Sequence, residues 1–253
     1  MHYQLERNHG CRVSDAWSYR GLKTAVMEND LLRIVVLVDK GADIYQFVHK
    51  PTDTDFLWRS PWGVRDPSKF LPTTGSGSFM DTYEGGWQTV LPGGGDPSQY
   101  QGGDLGLHAE VSTMPWDCVI TEDTQDRVSI KFWVRTYRMP FYFEKTLTLD
   151  AGSTVLHIDQ AITNEGEEPA YCVWGEHIAL GAPFLSDDCV IDLPDGTIIN
   201  HPTNFHPNSR LKPGIQSSWP DTEGIDGSKI DLSRVPPKSI RAFDISYIAD
   251  MSD

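Results

Sequence analysis

No apolar run in the sequence approaches the roughly 20 residues that a bilayer-spanning helix needs, and the opening stretch MHYQLERNHGCRVSDAW lacks the apolar core of a secretory signal. Both absences point to a soluble, cytoplasmic protein with no membrane partner. Cysteine is scarce and scattered. Cys11, Cys118, Cys172 and Cys189 include no C-x-x-C pair, which argues against zinc knuckles and dithiol redox centres and leaves unbonded buried thiols as the expectation. Basic residues are few, 21 against 36 acidic ones, and the net charge of −15 is spread along the chain. Such a surface repels phosphate backbones, so a nucleic-acid partner is disfavoured and a neutral or cationic ligand fits better. Long helical periodicity is missing throughout. The glycine-rich LPGGGD is not a phosphate loop, because it lacks the G-K-[ST] ending.

Short runs of alternating polarity fill the chain instead. Val128, Ile130, Phe132 and Val134 share one face of a strand, and Phe141, Phe143, Leu147 and Leu149 share one face of the next, after the Met139-Pro140 break. Leu31 to Val38 and Ala42 to His49 read as a hairpin turning at Lys40-Gly41. Leu156 to Thr163 and Ala170 to Leu180 read as another pair, joined by the turn-rich NEGEEP. Near the end Phe243, Ile245 and Tyr247 alternate like a strand. With 22 Gly and 17 Pro, this pattern predicts an all-β fold, a large antiparallel sandwich or barrel. The irregular stretches 60–105 and 181–237 are long enough to carry function or short strands of their own. No linker or internal repeat divides the sequence, so residues 1–253 are read as a single domain.

Three stretches can carry chemistry. Residues 79–108, FMDTYEGGWQTVLPGGGDPSQYQGGDLGLH, mix aromatics, amides and carboxylates. Aromatic faces stack on the C–H surface of a sugar while polar groups pair with its hydroxyls, so Tyr83, Glu84, Trp87 and Gln88 make a carbohydrate platform, or else a surface loop with a buried tryptophan. In GLHAEVSTMPWDC, residues 106–118, His108 and Glu110 would share one face of a strand. That is half of a metal site without the further ligands a metal needs. In CVWGEHIALG, Glu176 and His177 are neighbours, so on a strand they face opposite sides and only one can line a given cleft. Alternation sets His177 on the side of Tyr171 and Val173. His49, His157, His201 and His206 read as ordinary surface or edge histidines.

The order of GLHAEVSTMPWDC, FYFEKTLTLDAGSTVLHIDQAITNEGEEP (141–169) and WGEHIALG (174–181) resembles the aldose 1-epimerases, the galactose mutarotase-like family. The resemblance implies a large antiparallel β-sandwich of the galactose mutarotase-like type, with a sugar cleft on one sheet face. It implies an isomerase that interconverts the α and β anomers of an aldose by acid/base ring opening. His177 would be the general acid at the ring oxygen, and His108 would bind the sugar. Tyr83, Glu84, Trp87, Gln88 and Glu176 are the other expected sugar contacts. The partner is a small-molecule sugar, and the reaction requires no metal or nucleotide cofactor. Where the family carries an arginine motif this chain has GGWQTVLPGGGD. The family's catalytic carboxylate comes from C-terminal strands that this sequence does not show. A protein of the same fold that binds sugar without turning it over is the alternative. A polysaccharide-processing enzyme would need two carboxylates at glycosidase separation, and no such pair stands out.

Overall fold

The protein is described here from a computed structural model covering residues 7–65, 77–204 and 206–252, with only the backbone at Gly77 and Ser78. The chain forms two compact units, Met1–Phe184 and Leu185–Asp253.

The first unit holds two antiparallel sheets. Strands β1 (Arg12–Tyr19), β2 (Leu22–Glu28), β3 (Leu32–Leu37) and β4 (Asp43–His49) run as a meander. The short β5 (Thr54–Asp55) pairs with β4. After a six-residue helix, α1 (Gly77–Thr82), strand β6 (Trp87–Val90) continues the sheet. The hairpin β7 (Ser98–Tyr100) and β8 (Gly103–Leu105) stands apart. The second sheet contains β9 (Asp117–Asp123), β10 (Arg127–Arg135), β11 (Phe141–Asp150) and β12 (Leu156–Asn164), in the order β12-β11-β10-β9. Strand β13 (Gly175–Ile178) then returns to the first sheet, which is ordered β1-β2-β3-β4-β6-β13.

Alternation builds the core. On β10 Val128, Ile130, Phe132 and Val134 are buried, and on β11 Phe141, Phe143, Leu147 and Leu149 are buried, as the period of two requires. They pack against Ile34, Val36 and Ile44 of the first sheet. One residue along, Leu37 and Tyr45 face away from that core and form a smaller cluster with Leu22 and Val64 on the outer face. Fully burying each large apolar side chain contributes about 1.5–3 kcal/mol, so this interface carries most of the unit's stability. One buried residue breaks the apolar pattern. Lys145 on β11 sends its ammonium across to the Ala42 carbonyl at 2.8 Å and to Thr89 Oγ1 at 3.3 Å. Burial pushes its pKa down, opposed by the Glu176 and Asp43 charges.

The strands read from the sequence at 128–134, 141–149, 32–37 and 43–49 are present, and the expected all-β, mutarotase-like sandwich is the fold. Two local expectations are corrected. Residues 156–163 and 170–180 do not pair with each other: β12 pairs with β11, and β13 crosses to the other sheet to pair with β6. Only Gly175–Ile178 is strand, so the alternation that set His177 beside Tyr171 and Val173 does not extend that far. The cysteines form no disulfide among the described residues, but Cys172 is exposed rather than buried.

The second unit is a smaller set of short strands. A three-stranded sheet has β14 (Thr197–Asn200) at its centre, flanked by β15 (Gln216–Ser218) and β18 (Ser246–Ala249). The pair β16 (Asp221–Glu223) and β17 (Lys229–Asp231) completes it. The alternating segment near the chain end is therefore partnered, with Tyr247 opposite Ile199. The irregular stretches 60–105 and 181–237 do carry strands of their own, while 66–76 lies outside the described residues.

Candidate functional site

Strands β6 and β13 pair in register, with His177 directly opposite Gln88 and Glu176 opposite Thr89. Direct partners share a face, so this register divides the candidates. Thr89 and Glu176 face the second sheet. Thr89 meets Lys145, and Glu176 accepts from Thr89 Oγ1 at 3.2 Å, from Gln160 Nε2 at 2.7 Å and from the Trp87 indole. Trp87 also packs against the inter-sheet core. Trp87 and Glu176 sit on the face of the sheet opposite His177, which is the opposition of Glu176 and His177 that strand alternation predicted; of Tyr83, Trp87 and Gln88, Tyr83 and Gln88 reach His177 and Trp87 does not.

Gln88 and His177 face outward, where a second element brings His108. The turn after β8 places His108 in the left-handed region at φ 50°, and its carbonyl accepts the Ser112 hydroxyl at 2.7 Å. A non-glycine residue there is uncommon and favours a turn, so His108 and Glu110 are not strand neighbours on one face, as the sequence reading had them. Glu110 is buried and accepts the backbone N–H groups of Tyr137 at 2.6 Å and Arg138 at 2.9 Å. It ties the 135–141 turn to the His108 segment. Among the described residues no three His, Cys, Asp or Glu side chains gather as a metal cluster.

The two imidazoles lie with ring centroids 5.0 Å apart, both half-buried. Phe79, fully inside, meets the ring of His108 edge-on at 4.7 Å and that of His177 at 5.6 Å. Tyr83 stacks on Phe79 at 5.1 Å, meets His177 at 5.6 Å and is backed by Trp58 at 5.8 Å. The two rings have defined tautomers. His108 Nδ1 is 3.0 Å from the Gly94 carbonyl, which can only accept, so Nδ1 carries the proton. His177 Nδ1 is 3.2 Å from Gln88 Oε1, and the Gln88 amide nitrogen is occupied by the Gly85 carbonyl at 2.6 Å, so His177 also donates from Nδ1. Each Nε2 is left without a hydrogen-bond partner among the described residues.

Burial, and then the neighbouring His108, lower the His177 pKa, which keeps the ring neutral above pH 6.5. Burial, then the Glu84 charge, push the Tyr83 phenol up to about 12, so it stays a hydroxyl. Glu84 is fully buried and ion-paired with Lys40 Nζ at 2.7 Å. That corrects its reading as a direct sugar contact. Lys40 also holds Asp43 at 2.8 Å. Burial alone would lower the Lys40 pKa, but Asp43 and Glu84 outweigh it and raise it well above the usual ammonium range.

Arg59 stacks 3.9 Å over Tyr45 and pairs with Asp55, and Arg65 donates to the Asp81 carbonyl at 2.8 Å. A separate cavity of about 900 Å³ is lined by Leu105, Leu107, Glu110, Tyr137 and Arg138 among others, and neither histidine lines it. The sequence reading missed Lys40, Asp43, Phe79, Trp58 and the Gly94 carbonyl. Lys40 and Asp43 sit in what reads as an ordinary polar hairpin turn, and no sequence signal separates them from one.

The two packed antiparallel sheets have the galactose mutarotase-like fold. Solved structures share that fold. A candidate aldose 1-epimerase from Klebsiella pneumoniae superposes with a TM-score of 0.60 at 15% identity, covering 79% of this chain and 55% of its own. A galactose mutarotase-like protein from Clostridium acetobutylicum gives 0.57 at 11%, covering 76% and 62%. A candidate mutarotase from Salmonella typhimurium gives 0.52 at 17%, covering 79% and 61%. The chain thus spans less than two thirds of the length of each. No curated protein matches the sequence. The chain belongs to the family described as "Domain of unknown function (DUF4432)", whose profile matches residues 19–217. Among the described residues no helix is long and apolar enough to cross a membrane.

Proposed function

We propose that the first unit is an aldose 1-epimerase-like isomerase that opens and recloses the ring of a free aldose. The observation that carries this reading is the pair His108 and His177, 5.0 Å apart, each with Nδ1 engaged and Nε2 unengaged. Exchanging anomers requires a proton at the ring oxygen O5 and removal of the proton on O1. The C1–O5 bond then opens, C1–C2 rotates and the ring closes on the other face. His177 suits the first task. As imidazolium it is a stronger acid than free histidine, because burial lowers its pKa, and it gives the proton from Nε2 while Nδ1 stays on Gln88. His108 holds a sugar hydroxyl through Nε2, Tyr83 offers its ring and hydroxyl, and Gln88 orients His177. In this reading the O1 proton leaves to water.

A second reading, a sugar-binding protein without turnover, draws on the carboxylates. Glu84 is paired with Lys40, Glu110 with two backbone N–H groups, and Glu176 faces the second sheet, so none is available as a base. Exchange spectroscopy by NMR on free aldoses separates the two. Line broadening between anomer signals above the buffer rate supports the isomerase. A sugar-dependent change in Trp58 fluorescence with exchange at the buffer rate selects the binder, and neither response with any aldose refutes both.

A further inference from the structure

We propose that Lys40, Asp43 and Glu84 are positioning residues which, through Gln88, hold His177 as its Nδ1–H tautomer and leave Nε2 for the ligand. The proposal deepens the reading of this site as an isomerase, but its core, the tautomer, is readable without any substrate.

The connection is continuous. Lys40 Nζ bridges Asp43 Oδ2 at 2.8 Å and Glu84 Oε2 at 2.7 Å, and all three side chains are buried to within 1%. One cation faces two carboxylates, which leaves an excess negative charge in a dry site unless one carboxyl keeps its proton. Burial raises the Asp43 pKa well above the usual carboxylate range, against the Lys40 charge that lowers it. Asp43 Oδ1 and Glu84 Oε2 both lack a hydrogen bond of good geometry, the latter despite its ion pair with Lys40.

The Glu84 charge acts on Gln88. The Gln88 amide nitrogen faces two acceptors, the Gly85 carbonyl at 2.6 Å and Glu84 Oε1 at 3.4 Å. Rotating the amide by half a turn would set its oxygen against both acceptors, which is repulsive. Gln88 Oε1 is therefore committed to His177, and a committed acceptor requires a proton on Nδ1. With the opposite amide orientation, His177 would carry its proton on Nε2 and could not accept one there.

The backbone reinforces this. Glu84 and Gly85 are clamped to the 58–60 segment, with Ser60 N–H on the Glu84 carbonyl at 2.8 Å and Gly86 N–H on the Trp58 carbonyl at 2.9 Å. A buried ion cluster is weak evidence of stability, since apolar replacements often fold as well. One that ends on the acceptor of an outward-facing histidine has a further use.

The test is long-range proton–nitrogen NMR on the 253-residue protein with nitrogen-15 histidine, above the His177 titration. The wild type is expected to show His177 as Nδ1–H. Glu84→Gln removes the charge while Lys40 and Asp43 still balance each other, so the fold is retained. It is expected to shift the tautomer ratio toward Nε2–H by about tenfold, the effect of losing one charge-assisted hydrogen bond. Gln88→Leu removes the acceptor and is expected to make Nε2–H the major form. A wild-type Nε2–H tautomer, or an unchanged ratio in both variants, overturns the proposal. If the wild type exchanges no sugar, the isomerase reading falls while the tautomer result stands or falls separately.

Discussion

His177 and Gln88 face each other across the last ladder of the first sheet, with Nδ1 of one 3.2 Å from Oε1 of the other. That contact engages Nδ1 of His177, and several measurable consequences follow from it and its surroundings.

The His177 ring should titrate below pH 6.5, because burial and the adjacent His108 both disfavour its charged form. Its folded pKa is depressed, so the unfolded chain binds more protons and stability declines as pH falls from about 6.5 through the folded pKa. His177→Asn should flatten that part of the stability profile. In the wild type, the His177 carbon-bound protons followed by NMR should give a midpoint that rises in His108→Ala. A midpoint at or above 6.5 contradicts the account.

If the site turns over aldoses, His177→Ala should lower the rate constant for anomer exchange by about 10²-fold or more, the loss expected for a general acid. His108→Ala should act mainly on KM, because its Nε2 is assigned to holding a hydroxyl. Saturation curves from NMR exchange rates give both parameters. Equal small effects from the two substitutions would remove the division of roles.

Lys40→Met should destabilise the first unit by about 3–5 kcal/mol, because it leaves Asp43 and Glu84 buried without a cation. Asp43, pushed up by burial, would lose the Lys40 charge that opposes the rise, so its neutral form is favoured by folding and the deficit should be smallest at low pH and grow as pH rises. Urea denaturation at pH 5 and pH 8 reads the difference, and a deficit independent of pH would show that charge is not its cause.

Gly85→Ala should be costly for a steric reason. Gly85 has φ +83°, and a Cβ there would lie 2.2 Å from the Trp58 carbonyl oxygen. The backbone must shift, at about 1–3 kcal/mol for the strained conformation alone. The same shift moves the Gly85 carbonyl that holds Gln88. A lowered Tm together with a disturbed His177 signal is expected, and an unchanged Tm would contradict the geometry.

The strands of the core were legible because burial on one face of a sheet imposes a period of two. Val128 to Val134 and Phe141 to Leu149 state it in their order, and the fold class follows from many such runs. His177 stood out as a candidate because it interrupts an apolar run, and His108 because it follows a glycine-rich loop, together with the order of the motifs around them. Their partners did not. Whether Trp87 or Gln88 shares a face with His177 depends on which residue of β6 stands opposite it, and register is a property of two strands distant in sequence. Lys40, Asp43 and Glu84 meet because a hairpin turn and the segment before β6 come to the same place in the sheet. The Gly94 carbonyl can fix the His108 ring because residues 91–95 run beside 108–111. Local sequence sets which backbone shapes and faces are favourable. Long-range pairing chooses the neighbours, and the charge, burial and tautomer of each histidine depend on those neighbours.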